Sequence, residues 1–392
     1  MRKKAVFIVC YLAYTFIYIG RLNLTMASPA LKSQNIFTSA QIGLLGSVFF
    51  VVYALGRLVN GVLSEHFHAR NMIAAGLLLG AAANIIFGFL PPFAAVLLVW
   101  AVNAYAQSML WSAVLKTMGA VYGEEKAQKM SAYMITSVAA GNIAGILLGT
   151  LIISKIGVNA AFIIPGGMLA AAALVVALVV GKSDKTQKID ANIKKALKQR
   201  EIFGMAVPAL FHGVMKDNIS LWMAVYVADK FGLEIEKFAF YLLLIPAAGL
   251  IGRFLYPSVF SLLGNNGNNV SAFGFAVCAV FSALLIFLAE TPFWAVFYLS
   301  MIYIAVSLIN TSILSVFPMR FYSEGISGTV SGIMDFNTYL GAGIGSAVYG
   351  LVIEDWGYNA MFISWLIISL ISIPLIFRKR RESSGTAAKA EN

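Results

Sequence analysis

Charge is what this chain has least of. Only 11% of its 392 residues are charged, and 60% are hydrophobic. Soluble domains carry roughly 25% charged residues, so an ordinary water-soluble enzyme or binding domain is excluded. Acidic side chains are the scarcer sign, with 17 Asp and Glu against 28 Lys and Arg. The net charge of +11 does not read as a nucleic-acid surface, because the basic residues gather at the chain ends and in one linker. Cysteine is almost absent. Cys10 and Cys278 each lie inside an apolar run, which excludes a disulfide framework and a thiolate metal site. The three histidines have no metal spacing: His66 and His68 sit at a helix end beside Arg70, and His212 is alone. There is no phosphate loop and no nucleophile elbow. No enzyme activity and no bound cofactor are expected.

Long apolar runs are present instead. Polar breaks divide them into twelve predicted helical spans: 5–31, 41–66, 71–90, 93–122, 129–153, 159–181, 201–230, 237–263, 269–289, 292–321, 326–352 and 358–377. Each is long enough for a bilayer core of about 30 Å. Several are longer, which implies tilt or extension into water. Arg2, Lys3 and Lys4 precede a first span without a small-residue cleavage site, so a retained first helix is expected rather than a cleaved leader. Lys and Arg set the orientation. They cluster at the N-terminus, in the linker (Lys182, Lys185, Lys188, Lys194, Lys195, Lys198, Arg200) and at Arg378–Arg381. An even number of spans puts all three clusters on one face, the cytoplasmic one, in a multi-pass protein of the cell membrane. The expected division is an N-terminal bundle at 1–181, a basic linker at 182–200, a C-terminal bundle at 201–378 and a disordered tail at 379–392.

The two halves repeat. Displaced by 200 positions, Tyr122/Tyr322, Glu124/Glu324, Ser131/Ser331, Met134/Met334, Gly141/Gly341, Gly145/Gly345, Gly157/Gly357, Asn159/Asn359, Ala160/Ala360 and Phe162/Phe362 are identical. Gly56–Arg57 returns as Gly252–Arg253, 196 positions on. The Gly-x-Asn-Ala-x-Phe match falls in a loop, where apolar bias does not generate it. The fold class is therefore all-α membrane: two six-helix bundles related by a pseudo-two-fold axis, the plan in which two halves rock about a midplane site.

Within this apolar frame a few polar residues stand out. Arg21 lies midway along the first span, where a cation costs about 2.5–3.5 kcal/mol on insertion scales. Tyr14, Tyr18, Arg21 and Thr25 share one helical face, which must line protein or a watery cavity. Lys216 occupies nearly the matching place in the seventh span and opens a polar patch with Asp217, Asn218 and Ser220. Two matched interior cations fit an anion held between the halves, while an ion pair of Arg21 with Asp217 or Asp335 is the bland alternative. Lys216 and Asp217 themselves are expected to be poor partners, since adjacent helical residues point about 100° apart.

Other positions keep two readings open. Arg57, one turn after Tyr53, and its counterpart Arg253 suit a second anion site or a cytoplasmic gate, or equally simple anchoring. Lys116 reads as structural or gating. Asp335, the embedded acid of the eleventh span, is a proton-relay candidate because desolvation raises a carboxyl's pKa, or else a static ion-pair partner. Asn103, Gln107 and Trp111 in the fourth span, Tyr303, Ser307 and Asn310 in the tenth, and Asn337 and Tyr339 in the eleventh offer hydrogen bonds to a hydroxylated ligand, or polar contacts between helices. Ser137 and Asn142 are weaker candidates of the same kind. The glycine-rich fifth and eleventh spans are explained by close helix packing.

Over nearly its whole length the chain resembles the major facilitator superfamily. GRLVNGVLSEHFHAR at 56–70 is similar to the loop that marks it, with Gly61, Glu65 and Arg70 at the glycine, acidic and basic positions; the resemblance implies a gating role for them. RLNLTMASPAL at 21–31, GLLGSVFFVVYAL at 43–55 and GTVSGIMDFNTYLG at 328–341 look like the organic-anion branch, which includes anion:cation symporters and organophosphate:phosphate antiporters. By that resemblance Arg21, Lys216 and Arg57 match substrate-binding cations. Lys216 stands where the antiporters have arginine, Ser137 where they have a functional histidine, and Gly20 where many symporters have an acid; Asp335 is an addition.

The expectation is a secondary transporter of a small organic anion (a sugar acid, carboxylate or organophosphate) working by alternating access as a monomer in the bilayer. A proton, sodium ion or phosphate would be the coupling or counter ion. The rivals are a proton-coupled drug exporter, which a basic interior disfavours, and a membrane sensor that binds an anion without moving it.

Overall fold

The computed structural model describes residues 3–181, 199–233, 235–321 and 326–377. The basic linker, the tail and the repeat partners Tyr322 and Glu324 lie outside the described residues. All regular structure within them is helical.

The helices are α1 (Lys3–Ser33), α2 (Ser39–His66), α3 (Ala69–Gly88), α4 (Phe93–Ser108), α5 (Leu110–Tyr122), α6 (Glu124–Lys155), α7 (Ala160–Val179), α8 (Arg200–Phe231), α9 (Ile235–Leu262), α10 (Gly267–Leu288), α11 (Pro292–Thr311), α12 (Phe317–Met319) and α13 (Ser327–Phe377). Ten stretches among the described residues are long and apolar enough to cross a membrane. One of them, Thr329–Phe377, merges two crossings at Gly357, whose φ of 76° breaks the helix. α8 is not one of the ten, and it carries Lys216 and Asp217 in its interior. Counting α8 and dividing α13 at Gly357 gives the twelve expected crossings.

Local chemistry sets the ends. Thr38 begins α2 with a capping box: its side chain accepts from the Gln41 N–H while the Gln41 side chain accepts from the Thr38 N–H. Thr291 caps α11, with Pro292 in its first turn. The fourth span is interrupted at Met109, between α4 and α5. The tenth is interrupted by a π-turn at Ser312–Val316. Pro318 has no N–H to offer the carbonyl four residues earlier, and the Ser331 hydroxyl donates to that Leu314 carbonyl at 3.1 Å. The interruption is thus held by a side chain from α13.

The chain divides into two compact units. The first comprises Met1–Ile189 with Ala224–Pro246, the second Asp190–Met223 with Ala247–Asn392. In the first, α3 packs on α4 and α7, and α1 packs on α6 and α7. In the second, α10 packs on α11 and α13. Glycines at matching positions make matching contacts. A Cβ on Gly76 would meet Leu110 and the Ala106 carbonyl; one on Gly274 would meet Ile309 and the Ala305 carbonyl. Likewise Gly145 lies against Leu22 and Ile19, and Gly345 against Asn218 and Val214. The sequence repeat is therefore a repeat of packing, with small residues admitting a neighbouring helix where bilayer lipid gives no hydrophobic drive for association.

Candidate functional site

In the first unit, Gly141 of α6 determines how closely α1 approaches. A Cβ there would fall 2.5 Å from Tyr18 Cβ and 2.7 Å from the Thr15 carbonyl oxygen. The close approach seats the Tyr14–Tyr18–Arg21 face of α1 toward α2 and α5. Tyr14 lies 5.5 Å from Tyr18 and 5.1 Å from Trp111, centroid to centroid. The Arg21 guanidinium carbon is 4.9 Å from the ring centres of Phe49 and Tyr53 and 5.7 Å from that of Tyr18. Arg57 lies 5.9 Å from the same Tyr53 ring, and its Nη1 donates to the Tyr53 hydroxyl at 3.4 Å. Five expected residues, Tyr14, Tyr18, Arg21, Arg57 and Trp111, thus form one continuous aromatic and cationic strip. A guanidinium keeps its charge and is weakly hydrated, so aromatic faces stabilise it without consuming its hydrogen-bond fork.

Phe49 and the buried amides Asn23 and Asn84 were not anticipated. Phe49, Tyr53 and Arg57 recur every fourth residue on α2, and that spacing is the signal for Phe49. Behind the strip runs a buried amide chain. Asn23 Nδ2 donates to Asn84 Oδ1, Asn84 Nδ2 to Asn103 Oδ1 at 3.2 Å, and Gln107 Nε2 to the same Asn103 oxygen at 3.3 Å. Asn84 Nδ2 also reaches the Gly80 carbonyl at 2.8 Å. Gln107 therefore belongs to a network joining α1, α3 and α4. Ser137 is fully buried, and its hydroxyl donates to the Met134 carbonyl of its own helix.

Of the expected gating residues, Lys116 donates to the Phe67 carbonyl at 3.3 Å, at the residue that ends α2, where a cation complements the helix dipole. Arg70 Nε donates to Asn71 Oδ1 at 3.5 Å. Gly61 and Glu65 lie in α2, but their side chains are outside the described residues. Lys32, at the end of α1, forms an ion pair with Asp229.

In the second unit, Lys216 and Asp217 are ion-paired at 3.3 Å, with side chains 19% and 14% exposed. The two were expected to be poor partners; they stand at ion-pair distance, while Asp217 Oδ2 has no hydrogen-bond donor among the described residues. The four-carbon stem of lysine swings its ammonium sideways across the angle that separates the two Cβ atoms. Lys216 Nζ also lies 5.3 Å from the ring centre of Tyr339. Asn218 donates to the Val214 and Ala342 carbonyls, tying α8 to α13. Asn337 donates to the Ile333 carbonyl of its own helix at 2.8 Å. Tyr303 packs against Gly249, which stands where the first half has Tyr53. Arg253, the counterpart of Arg57, is exposed. Asp335 is half-buried on α13, one turn before Tyr339. His212, one turn before Lys216, bonds Asn310 at 3.1 Å.

Comparison with known proteins gives four findings. Residues 10–346 match the profile described as Major Facilitator Superfamily. A "Probable hexose phosphate transport protein" of Chlamydia muridarum is 22% identical, across 95% of this chain and 89% of that protein. The "Membrane sensor protein UhpC" of Salmonella typhimurium is 32% identical, but across only 27% of this chain and 24% of that protein. The crystal structure of a bacterial homologue of the human lysosomal transporter Spinster superposes with a TM-score of 0.83 at 14% identity, covering 97% of both chains. At that identity the likeness is one of fold.

Proposed function

The chain belongs to the Major Facilitator Superfamily, and on that premise we propose that it is a secondary transporter of a small organic anion, operating by alternating access. The observation that carries this reading is the Arg21 guanidinium, held within the first crossing against the rings of Tyr18, Phe49 and Tyr53. A cation is costly there, and the fork of an arginine suits a carboxylate or phosphate. Arg21 and Lys216 are the proposed anion ligands. Arg57 assists through Tyr53, while Tyr14, Tyr18 and Trp111 face the organic body of the ligand. Ser137, Gln107, Tyr303, Asn337 and Tyr339 orient the ligand or the helices that carry it. Gly61, Glu65, Arg70, Lys116 and Arg253 act in gating. Asp335 trades a proton or an ion pair during the cycle, and a proton, sodium ion or phosphate drives or balances it. The proposed division into bundles at 1–181 and 201–378 places both termini and the linker in the cytoplasm, following the distribution of Lys and Arg.

The test is flux into proteoliposomes. Sugar acids, small carboxylates and organophosphates, including the hexose phosphates named for the Chlamydia relative, are offered to the wild type and to Arg21→Ala. Uptake of at least one anion by the wild type, lost in a folded Arg21→Ala, is expected. Undiminished uptake by the variant would overturn the assignment. A second reading, an anion sensor without transport, is favoured by the higher local identity to the sensor protein; it predicts binding without flux in the same vesicles.

A further inference from the structure

Lys216 and Asp217 stand 3.3 Å apart on α8. Asp217 Oδ2 is buried and has no hydrogen-bond donor among the described residues, so its charge leans on the Lys216 ammonium. The same ammonium is a proposed ligand of the transported anion. An anion that engages it leaves two negative groups facing one cation, its own and that of Asp217. Like charges about 6 Å apart, at an effective dielectric between those of a protein surface and water, disfavour joint occupancy about ten- to hundredfold. A buried carboxylate that loses its cation is costly. A proton on Asp217 removes both penalties and lets Lys216 turn to the anion. Other groups around the pair can compete for that proton. On α8, His212 lies one turn before Lys216, with its Nε2 on Asn310 of α11. Where α13 meets α8, it brings Asp335 and Tyr339, whose ring centre is 5.3 Å from Lys216 Nζ. The second crossing of α13 presents Ser369 to Met215 and has no Asp, Glu, Lys, Arg or His at 358–377, and α11 has none either.

We propose that Asp217 is the proton-binding residue of the transport cycle, so that each anion engaging Lys216 is accompanied by one proton on the Asp217 carboxylate. The O–H bond formed as the pair enters is broken as it leaves on the far side, and Asp217 returns to Lys216. The proposal rests on the reading of Lys216 as an anion ligand. It makes the coupling ion a proton and the coupling symport, and leaves Asp335 the ion-pair role. By reciprocity, anion and proton favour each other's binding. Anion affinity therefore falls as pH rises, by up to about tenfold per pH unit, the slope of one proton taken up per anion.

The experiment is calorimetric titration of the purified full chain in detergent with D-gluconate, D-glucuronate and D-lactate. Each is a carboxylate that holds one negative charge from about pH 5.5 upward, so the probe itself does not titrate. Buffers of different ionisation enthalpy count the protons that accompany binding. The wild type is expected to take up about one proton per anion, with affinity falling about tenfold per pH unit where uptake is complete. Asp217→Asn, a neutral stand-in for the protonated acid, should bind at about pH 7.5 as tightly as the wild type at about pH 5.5, without proton uptake and without a slope. Asp335→Asn and His212→Gln should keep the slope, whatever their affinity. Monodisperse elution checks folding, and Asp217→Ser serves if Asp217→Asn does not fold. A wild type that binds a probe without proton uptake, the binding being lost in Arg21→Gln, would overturn the proton site and leave the anion carrier standing. Uptake that persists in Asp217→Asn would also overturn it, and its loss in Asp335→Asn or His212→Gln would place the proton there instead. Failure of the wild type to bind any of the three probes would count against the carboxylate carrier and the proposal together.

Discussion

The guanidinium carbon of Arg21 lies 4.9 Å from the centre of the Tyr53 ring, and Arg57, one turn further along α2, reaches the hydroxyl of the same side chain. One tyrosine thus lies between two intramembrane cations, its face toward the first and its oxygen toward the second. Like charges a few ångströms apart in a low-dielectric setting repel each other. The Tyr53 side chain stands between them.

On the proposed reading, replacing Arg21 removes an anion ligand. Arg21→Gln should lower anion affinity by about a hundredfold, the scale of a charge-assisted bidentate contact. Its thermal midpoint without ligand should stay within a few degrees of the wild type. Arg21→Lys should still lose about tenfold, because an ammonium offers a point charge in place of a planar fork. Titration calorimetry and thermal melts in detergent measure the two quantities separately.

Tyr53 can be dissected by its two ends. Tyr53→Phe keeps the ring beneath Arg21 and deletes the long bond to Arg57, so the expected loss of stability is under about 1 kcal/mol. Tyr53→Leu removes the ring from both cations and should cost about 1–2 kcal/mol more. A double-mutant cycle of Tyr53→Phe with Arg57→Gln should give a coupling of about 0.5 kcal/mol or more. Additive effects would mean that the hydroxyl and Arg57 act independently.

Much of this was legible because the membrane penalises polar groups so heavily. Arg21, Arg57 and Lys216 stand out against an apolar background, and helical spacing alone put Tyr14, Tyr18 and Arg21 on one face. The repeat was legible too, and matching glycines in α3 and α10 make matching contacts. What escaped were relations that depend on rotamers and on neighbours distant in sequence. Phe49 looks like any lipid-facing phenylalanine until Arg21 of α1 and Trp100 of α4 are brought beside it. Gln107 looks like a ligand-facing amide until Asn103 and Asn84 are brought beside it. The pairing of Lys216 with Asp217 depends on how a flexible stem bends, which spacing rules ignore.

The amide chain supplies a prediction about helix association. Asn84 links α3 to Asn23 on α1 and to Asn103 on α4. Cross-helix hydrogen bonds in membranes average about 0.6 kcal/mol and reach about 1.7. Asn84→Leu removes two, so the expected destabilisation is about 1–2 kcal/mol, read as a drop of a few degrees in thermal midpoint. Adding Asn23→Leu should cost less in that background than in the wild type, because its partner is already gone. A full additive cost would show that the chain is not a network.

The junction of α8 with α13 gives the sharpest test of packing. A methyl group on Gly213 would collide with the Thr338 carbonyl, and one on Gly341 with the Leu210 carbonyl. Both obstacles are backbone, so neither can swing aside, and relief requires the two helices to separate. Separation would also stretch the bond from Asn218 to the Ala342 carbonyl, now 3.1 Å. Overpacking of a close helix contact costs about 1–3 kcal/mol and sometimes more. Gly213→Ala and Gly341→Ala should each reach at least the upper end of that range, seen as aggregated material in size-exclusion chromatography. Gly332→Ala, on the same α13 but with nothing within 4 Å of the added methyl, is the control. Alanine is the better helix former by about 1 kcal/mol, so that variant should melt at or slightly above the wild-type midpoint. Equal behaviour of the three variants would mean that α8 and α13 do not approach through these glycines.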